Sequence, residues 1–501
     1  QGLSSESAAA ESGAMADDIP GPSGLTGTTI KMTFGFCLVL TGVIMWLTRE
    51  ASSGESGQTG GGSDFRKFQR LYLLIYLLAM ISDWLQGPYV YALYESYGYS
   101  AGENATLFVA GFGSSMIFGT VVGAMADSTG RKKSALLYCT MYIVSCLTKH
   151  VSSYFVLMVG RITGGIATSL LFSVFETWMV CEHNSRGFQG ELLGETFGLA
   201  IFGNSIVAIV AGLVAQFAAD LLPLTPPPGP SPRIHYGGYC GPFDLSIFCL
   251  LCCAAAAHFF WTENYGETSA DTGASSQVQN LKAAAKVIVE DPRVLCCGIT
   301  SALFEAAMYI FVFQWTPAVT APNAPRPPYG NIFATFMVGS MLGSRVFSYA
   351  TKKLSVERIG VGLLLVAALA HMTPVVSKDP TTTFYAFITF ELCVGVYFPM
   401  MGTLKGKIVP EASRSTIYNL FRVPLNFAVV TSLLVKLGTV MAFTVTSLLL
   451  GIALVSQVML IRLEGGVGKS PYTPRVDIAV EDDENEGLGP GPTKVGASSG
   501  V

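Results

Sequence analysis

Long apolar windows recur from one end of the chain to the other, separated by short polar gaps. Thirteen segments stand out, at residues 32–48, 71–94, 105–126, 134–150, 154–181, 196–219, 244–262, 294–316, 330–350, 359–376, 382–404, 415–435 and 438–461. A helix of about 18 or more apolar residues crosses a hydrocarbon core of about 30 Å, so the pattern predicts an all-α polytopic membrane protein. The first segment differs from the rest. It is short, lies between Lys31 and Arg49, and runs into a Ser/Gly loop, "ASSGESGQTGGGSD". A secretory signal normally has a basic stretch ahead of it, whereas Glu6, Glu11, Asp17 and Asp18 precede this one. A spanning helix is the first reading, a cleaved or targeting segment the second, and a surface helix the third.

Lys and Arg in the short loops set the orientation. Arg66, Lys67 and Arg70 precede the second segment; Arg131, Lys132 and Lys133 follow the third; Lys352, Lys353 and Arg358 follow the ninth; Lys405, Lys407 and Arg414 follow the eleventh. All fall on one side if odd-numbered segments run inward, which makes the C-terminus cytoplasmic and the N-terminus extracellular. The sequon "NAT" at Asn104 then faces outward as a glycosylation candidate, as does the Pro-rich loop "LTPPPGPSPRIHYGG", expected to stay unfolded. Beyond the first segment, twelve helices divide six and six about the longest internal loop, which ends in a stretch suited to a surface amphipathic helix.

The expected organisation is a disordered tail at 1–31, an extra transmembrane helix at 32–48, and a Gly/Ser-rich loop at 49–70. A six-helix bundle follows at 71–262, a cytoplasmic inter-bundle loop at 263–293, a second six-helix bundle at 294–461, and an acidic cytoplasmic tail at 462–501. An internal repeat supports the two halves. "FGTVVGAMADSTGRKK" and "VGSMLGSRVFSYATKK" align at a constant offset of 220, pairing Gly119 with Gly339, Gly123 with Gly343, and Lys132 and Lys133 with Lys352 and Lys353. Repeat-built transporters leave such weak duplication.

Composition narrows the class. Half the residues are hydrophobic and only 13% are charged, against about 25% charged in soluble proteins. The net charge of −4 comes from acidic tails, and no nucleic-acid reading survives. The 11 Cys lie mostly in apolar runs without metal-ligand spacing, so no metal and no cofactor is expected. An enzyme is not expected either: "GGVGKS" near residue 465 lacks the glycine spacing and preceding strand of a phosphate loop.

The stretch Gly123–Lys133 has a mechanical reading. Gly119 and Gly123 give a small-residue face for close helix approach. Asp127 ends the helix, Gly130 turns the loop, and Arg131 and Lys132 anchor it within reach of an acid. A tight basic loop that merely obeys topology is the alternative. The pattern is similar to the loop signature of the major facilitator superfamily, where it latches helices between the second and third of twelve. That resemblance implies the major facilitator fold and says nothing of substrate.

Ionisable groups inside membranes tend to face a cavity or a partner. Asp83, Arg161, Glu176, Glu305, Glu391 and Arg422 all fall inside apolar runs. Arg161 and Glu176 share one run but stand about 22 Å and about 60° apart on a helix, so each meets its own partners. A guanidinium offers a rigid fork of donors suited to oxyanions, so Arg161 and Arg422, one from each half, are candidate anion ligands. Asn204, Asn426, Gln86, Tyr89 and Tyr91 are candidate neutral donors. Asp83, Glu176, Glu305 and Glu391 are left for gating, pairing with the arginines, or carrying a proton.

The blocks "SDWLQGPYVYALY", "LMVGRITGGIATSLLFSVFETWMV", "ALFEAAMYIFVFQWTPAV", "ELCVGVYFPMMGTLKGKIVPE" and "NLFRVPLN" resemble those of the eukaryotic molybdate-anion transporters, a divergent branch of the superfamily. The resemblance spans residues 65–463 and implies uptake of molybdate across the plasma membrane by a secondary carrier, with no residue roles carried over. The Gly-rich loop, the Pro-rich loop and the acidic tail depart from it. Discrimination against sulfate would rest on a cavity matched to the larger anion. Three readings stand: a molybdate importer, monomeric in the bilayer and with or without a co-transported proton; a carrier of another anion or small organic solute; and a non-transporting sensor.

Overall fold

The structure is a computed structural model that describes residues 25–49, 62–227, 233–265, 274–320, 325–410, 414–435 and 437–466. Residues 1–24 of the expected N-terminal tail, 50–61 of the Gly/Ser-rich loop and 467–501 of the acidic tail lie outside these residues, while 27–31, 63–70 and 462–466 extend the adjoining helices. Helix α1 (Gly27–Arg49) comes first. The first half follows with α2 (Ser63–Trp84), α3 (Val90–Ser96), α4 (Ala101–Thr129), α5 (Arg131–Thr148), α6 (Tyr154–Ser185), α7 (Gly190–Leu221) and α8 (Gly241–Phe260). Helix α9 (Ala274–Glu290) leads into the second half: α10 (Pro292–Val319), α11 (Tyr329–Ala350), α12 (Val356–Val376), α13 (Pro380–Ile408), α14 (Arg414–Leu434) and α15 (Thr439–Gly466). Helices of each half pack chiefly on one another, and the halves meet along α7 with α11 and α4 with α14.

Nine helices among the described residues are long and apolar enough to cross a membrane on their own: α1, α6, α7, α8, α10, α12, α13, α14 and α15. Helices α2, α4, α5 and α11, of 22, 29, 18 and 22 residues, pack between them. A helix sheltered by neighbours tolerates the polar residues that lipid would exclude. The turns rich in Lys and Arg lie at one end of the bundle, called here the basic end; the α3 helix and the α7–α8 connection lie at the far end.

Two departures from the sequence expectation, and one placement it did not address, position the rest. The run at 71–94 is not one helix, because Pro88 has no N–H for the Trp84 carbonyl. The chain leaves α2 through a turn over Leu85–Tyr89 and resumes at Val90. Helix α1 packs along α11 of the second half although its sequence leads into the first. It buries Ile30, Cys37 and Thr41 and exposes Met32, Phe36 and Val39. The Pro-rich loop is folded at both edges: Thr225 bridges to Tyr236, and Val151 to Ile234.

That folded loop is clamped at the far end. His150 sits just past α5, its Nδ1 2.9 Å from the His235 carbonyl and its Nε2 3.1 Å from Asp244 Oδ1. The Asp244 carboxylate, then the Cys240 sulfur, push the His150 pKa up to about 10. At the basic end, the connection between α4 and α5 is the single residue Gly130, at φ +106°. The acid that meets this turn is Glu263, beyond α8. Its carboxylate accepts the Lys132 N–H at 2.8 Å and the Lys133 N–H at 3.3 Å, capping α5, while Lys132 Nζ donates to the His258 carbonyl at 2.7 Å. The side chain of Asp127 lies outside the described residues. Stacked Trp178 and Trp261 rings, 3.9 Å apart, seal the same junction, with Trp178 Nε1 donating to the Thr262 carbonyl at 2.9 Å.

Two outcomes follow. A Cβ at Gly130 would lie 2.5 Å from Glu263 Cδ, in a backbone conformation L-residues rarely adopt. Gly130→Ala is therefore expected to cost about 1–3 kcal/mol and to lower the melting temperature of purified protein; an unchanged melting temperature contradicts this account. His150 is charged in the fold, so its pairing contribution is fully present below its unfolded pKa of about 6.5 and is lost as pH rises through about 10. Because Asp244 is half-exposed, the pair is worth about 1 kcal/mol at most. His150→Gln should lower thermal stability at pH 6 and flatten the wild-type decline between pH 7 and 10; a decline of wild-type size in the variant sinks the assignment.

Candidate functional site

The two halves are joined at the far end by aromatic rings and close backbone contact. Tyr91 and Phe108 each pack edge-on against Phe313 at 5.5 and 5.1 Å, Phe112 packs on Tyr309 at 5.4 Å, and Trp84 on Phe333 at 5.8 Å. Gln216 Oε1 accepts from the Tyr89 hydroxyl at 2.8 Å and the Gly330 N–H at 3.0 Å. Gly212 and Gly330 let α7 and α11 touch, since a Cβ on Gly212 would be 2.8 Å from the Gly330 carbonyl. Arg326 and Glu95 bridge the halves at 3.4 Å. The described polar and aromatic contacts between the halves thus concentrate in the far half of the bundle.

Toward the basic side of this layer lies a charged cluster from α10, α13 and α14. Glu305 Oε1 accepts from Ser301 Oγ at 2.9 Å and the Tyr397 hydroxyl at 2.8 Å, with Lys405 Nζ at 3.5 Å. Lys405 also stands over the Tyr418 ring at 5.4 Å. One turn along α14 from Tyr418 comes Arg422, exposed and without a hydrogen bond or ion pair to the described residues, followed a turn later by half-buried Asn426. The charges of Glu305 and Arg422 both act on the Tyr309 hydroxyl, which places Arg422 beside the Tyr309–Phe112 contact.

Arg161 stands at a different level. Its Nε donates to the Leu107 carbonyl at 3.1 Å and its guanidinium lies 4.1 Å over the Phe108 ring, leaving the terminal nitrogens without a hydrogen-bond partner among the described residues. Phe108 and Phe112 are neighbours on α4, their centroids 6.2 Å apart. Arg161 is thus held at Phe108, whereas Arg422 acts on Tyr309, the partner of Phe112.

Several expected site residues are engaged elsewhere. Gln86 is buried between α2 and α8, donating to the Ser82 carbonyl at 2.9 Å and Ser246 Oγ at 3.2 Å. Tyr89 belongs to the far-end seam. Asn204 accepts from Trp84 Nε1 at 2.8 Å. Asp83 accepts from the Tyr142 hydroxyl inside the first half. Glu176 is exposed, its charge felt by Tyr72 and Tyr76. Glu391 is buried between α11 and α13 against Gly339, away from the cluster. Asn104 is fully buried within α4, so a glycan there has no room and the sequon is not a glycosylation site in this fold. Lys405, Tyr397 and Tyr309 were missed. The sequence placed Lys405 among loop charges, and only the continuation of α13 past Pro399 to Ile408 brings it inside.

Residues 32–398 match a family described as sugar transporters with 12 transmembrane helices. Solved structures share the fold at low identity. A nucleoside transporter NupG variant gives a TM-score of 0.61 at 12% identity over 78% of this chain and 99% of its own. A D-xylose-proton symporter gives 0.59 at 11% over 78% and 96%, and a peptide transporter crystallised with sulfate gives 0.61 at 11% over 82% and 96%. Among curated relatives, the molybdate-anion transporter of Xenopus laevis is 35% identical over 79% of this chain and 85% of its own length. That of Danio rerio is 34% identical over 80% and 87%. With this twelve-helix match and these relatives over most of its length, the chain belongs to the molybdate-anion transporter family, a branch of the major facilitator superfamily.

Proposed function

We propose that this protein is a secondary carrier that imports molybdate across the plasma membrane by rocking its halves about the central path. The observation that carries this reading is Arg422, an exposed cation with no counter-charge among the described residues, beside Tyr309 and next to a Lys405–Glu305 pair. An unpaired guanidinium inside a bundle is costly unless an anion or water meets it, and its forked donors suit a tetrahedral oxyanion. The relatives' names agree with this chemistry. With the basic end in the cytoplasm, the far-end aromatic layer is the closed outer gate and the cluster opens inward. The C-terminus is then cytoplasmic, and the carrier works as a monomer.

Glu305 is the proton site in this reading. Deprotonated, it holds Lys405 at 3.5 Å; protonated, it releases Lys405 to the anion, so a proton and a dianion favour each other. Anion binding to Arg422 and Lys405, with the Tyr309 and Tyr397 hydroxyls in reach of the same space, replaces hydration lost on entry.

Uptake of radiolabelled molybdate in cells lacking their own high-affinity carrier tests the substrate. Saturable uptake is expected, weakened about 10- to 100-fold in kcat/KM by Arg422→Ala, since charged hydrogen bonds are worth about 1.5–3 kcal/mol. No uptake by protein shown to reach the surface rules out molybdate, while equal inhibition by equal sulfate removes only the selectivity. For coupling, wild-type uptake should rise as the outside is acidified, and Glu305→Gln should lose that response while retaining anion exchange. A variant with the wild-type pH profile would remove Glu305 from the proton path.

A further inference from the structure

Three polar groups in the far part of the first half are buried without a hydrogen-bond partner: the Lys149 ammonium, the Tyr94 hydroxyl and the Asn104 amide. All three residues are at most 1% exposed. They surround one place. The Tyr94 ring lies between two cations, with Lys149 Nζ 5.6 Å and Arg161 Cζ 6.0 Å from its centroid. Lys149 leaves the end of α5 and enters the packing with α6, where a Cβ on Gly160 would stand 3.2 Å from its Nζ. Gly160 directly precedes Arg161. Asn104 stands on α4 one turn before Leu107 and Phe108, which hold the Arg161 side chain, and adjoins Tyr91 of α3.

The chemistry of this set is one-sided. It has an ammonium, a guanidinium with free terminal nitrogens, a phenol and an amide, and no carboxylate pairs with either cation among the described residues. A cation kept only for packing is normally neutralised, as His150 is by Asp244 at 3.1 Å close by. Attraction to an aromatic face offsets only part of the desolvation of a buried ammonium. Convergent donors of this kind match the oxygens of a tetrahedral dianion.

We propose that Lys149, Arg161, Tyr94 and Asn104 form a second oxyanion site on the far side of the aromatic layer, which receives the anion when the far end opens and passes it toward Arg422. The proposal rests on the oxyanion-carrier reading. The seam of Tyr91, Phe108 and Phe313 covers the site in the present state, and parting of the halves at that seam uncovers it.

The test uses the full chain in liposomes, with molybdate and then sulfate presented to either face. Lys149→Met should raise the KM for molybdate at the far face about tenfold or more, leave the KM at the basic face unchanged, and be rescued by Lys149→Arg. Tyr94→Phe, which deletes one hydroxyl without changing the packing volume, should raise the same far-face KM severalfold and serves if Lys149→Met does not fold. Equal KM changes at both faces would reveal a structural role and overturn the site, as would an unchanged far-face KM. If the wild-type protein moves neither anion, the carrier reading itself fails; if it does and these variants match it, only the second site is lost.

Discussion

A charge taken from water into a membrane interior must meet a counter-charge, a polar partner or water again, and this requirement sorts the ionisable groups of the whole molecule. At the ends of the bundle they are paired: Arg66 with Glu195 at 2.5 Å, Arg186 with Glu182 at 2.7 Å, and Lys407 with Glu357 at 2.8 Å and Glu464 at 3.1 Å. Deeper in, Lys405 keeps Glu305 as a loose partner. Arg161, Arg422 and Lys149 have none among the described residues. Asp83, Glu176 and Glu391 likewise have no cationic partner there, so what sets the three cations apart is that each offers hydrogen-bond donors suited to an oxyanion.

The same requirement explains why the halves close through rings and glycines. Phe108, Phe112, Tyr309 and Phe313 meet through ring faces and edges, so parting this part of the layer breaks few polar contacts; those at its rim are the Gln216–Gly330 and Arg326–Glu95 contacts. Gly212 and Gly330 bring α7 and α11 into backbone contact at the same end. Each half, by contrast, is tied within itself. Glu263 caps α5 from beyond α8, and the stacked Trp178 and Trp261 lock α6 to the same segment. Rigid halves with a soft, apolar seam are what rocking about a central path requires.

The fold was legible in the sequence because lipid imposes long apolar windows, and because the repeat of Gly119 and Gly123 in Gly339 and Gly343 marks the two halves. The break at Leu85–Tyr89 was not, since one Gly-Pro pair hardly interrupts a hydropathy run. The arginines of the path were legible as charges in the wrong place. The rings they meet were not, because Phe108 under Arg161 and Tyr309 near Arg422 are distant from them in sequence. Gln86, Tyr89 and Asn204 carry neutral donors whose use is decided by Ser246, Gln216 and Trp84, all distant in sequence. The sequon at Asn104 specifies a triplet and says nothing about burial. Lys405 was read as a loop charge and Lys149 drew no reading, and only packing turns them inward.

The loose Lys405–Glu305 pair bears on how a carrier releases what it binds. A site offering Arg422 and Lys405 freely would hold a dianion tightly, and tight holding slows turnover, because uniform binding lowers KM without speeding passage. In the proposed site Glu305 would compete with the anion for the Lys405 ammonium, and its other partners, Ser301 and Tyr397 at 2.9 and 2.8 Å, keep it in position to do so. Whatever fraction of the time Lys405 is engaged by Glu305 reduces the apparent affinity by that fraction. The carboxylate therefore weakens the site by design of its neighbours and not by distance from the anion, and it returns Lys405 to an ion pair as soon as the cargo leaves. In the proposed site, an all-cationic lining would leave Lys405 and Arg422 both bare in every empty return step; Glu305 leaves only Arg422 so.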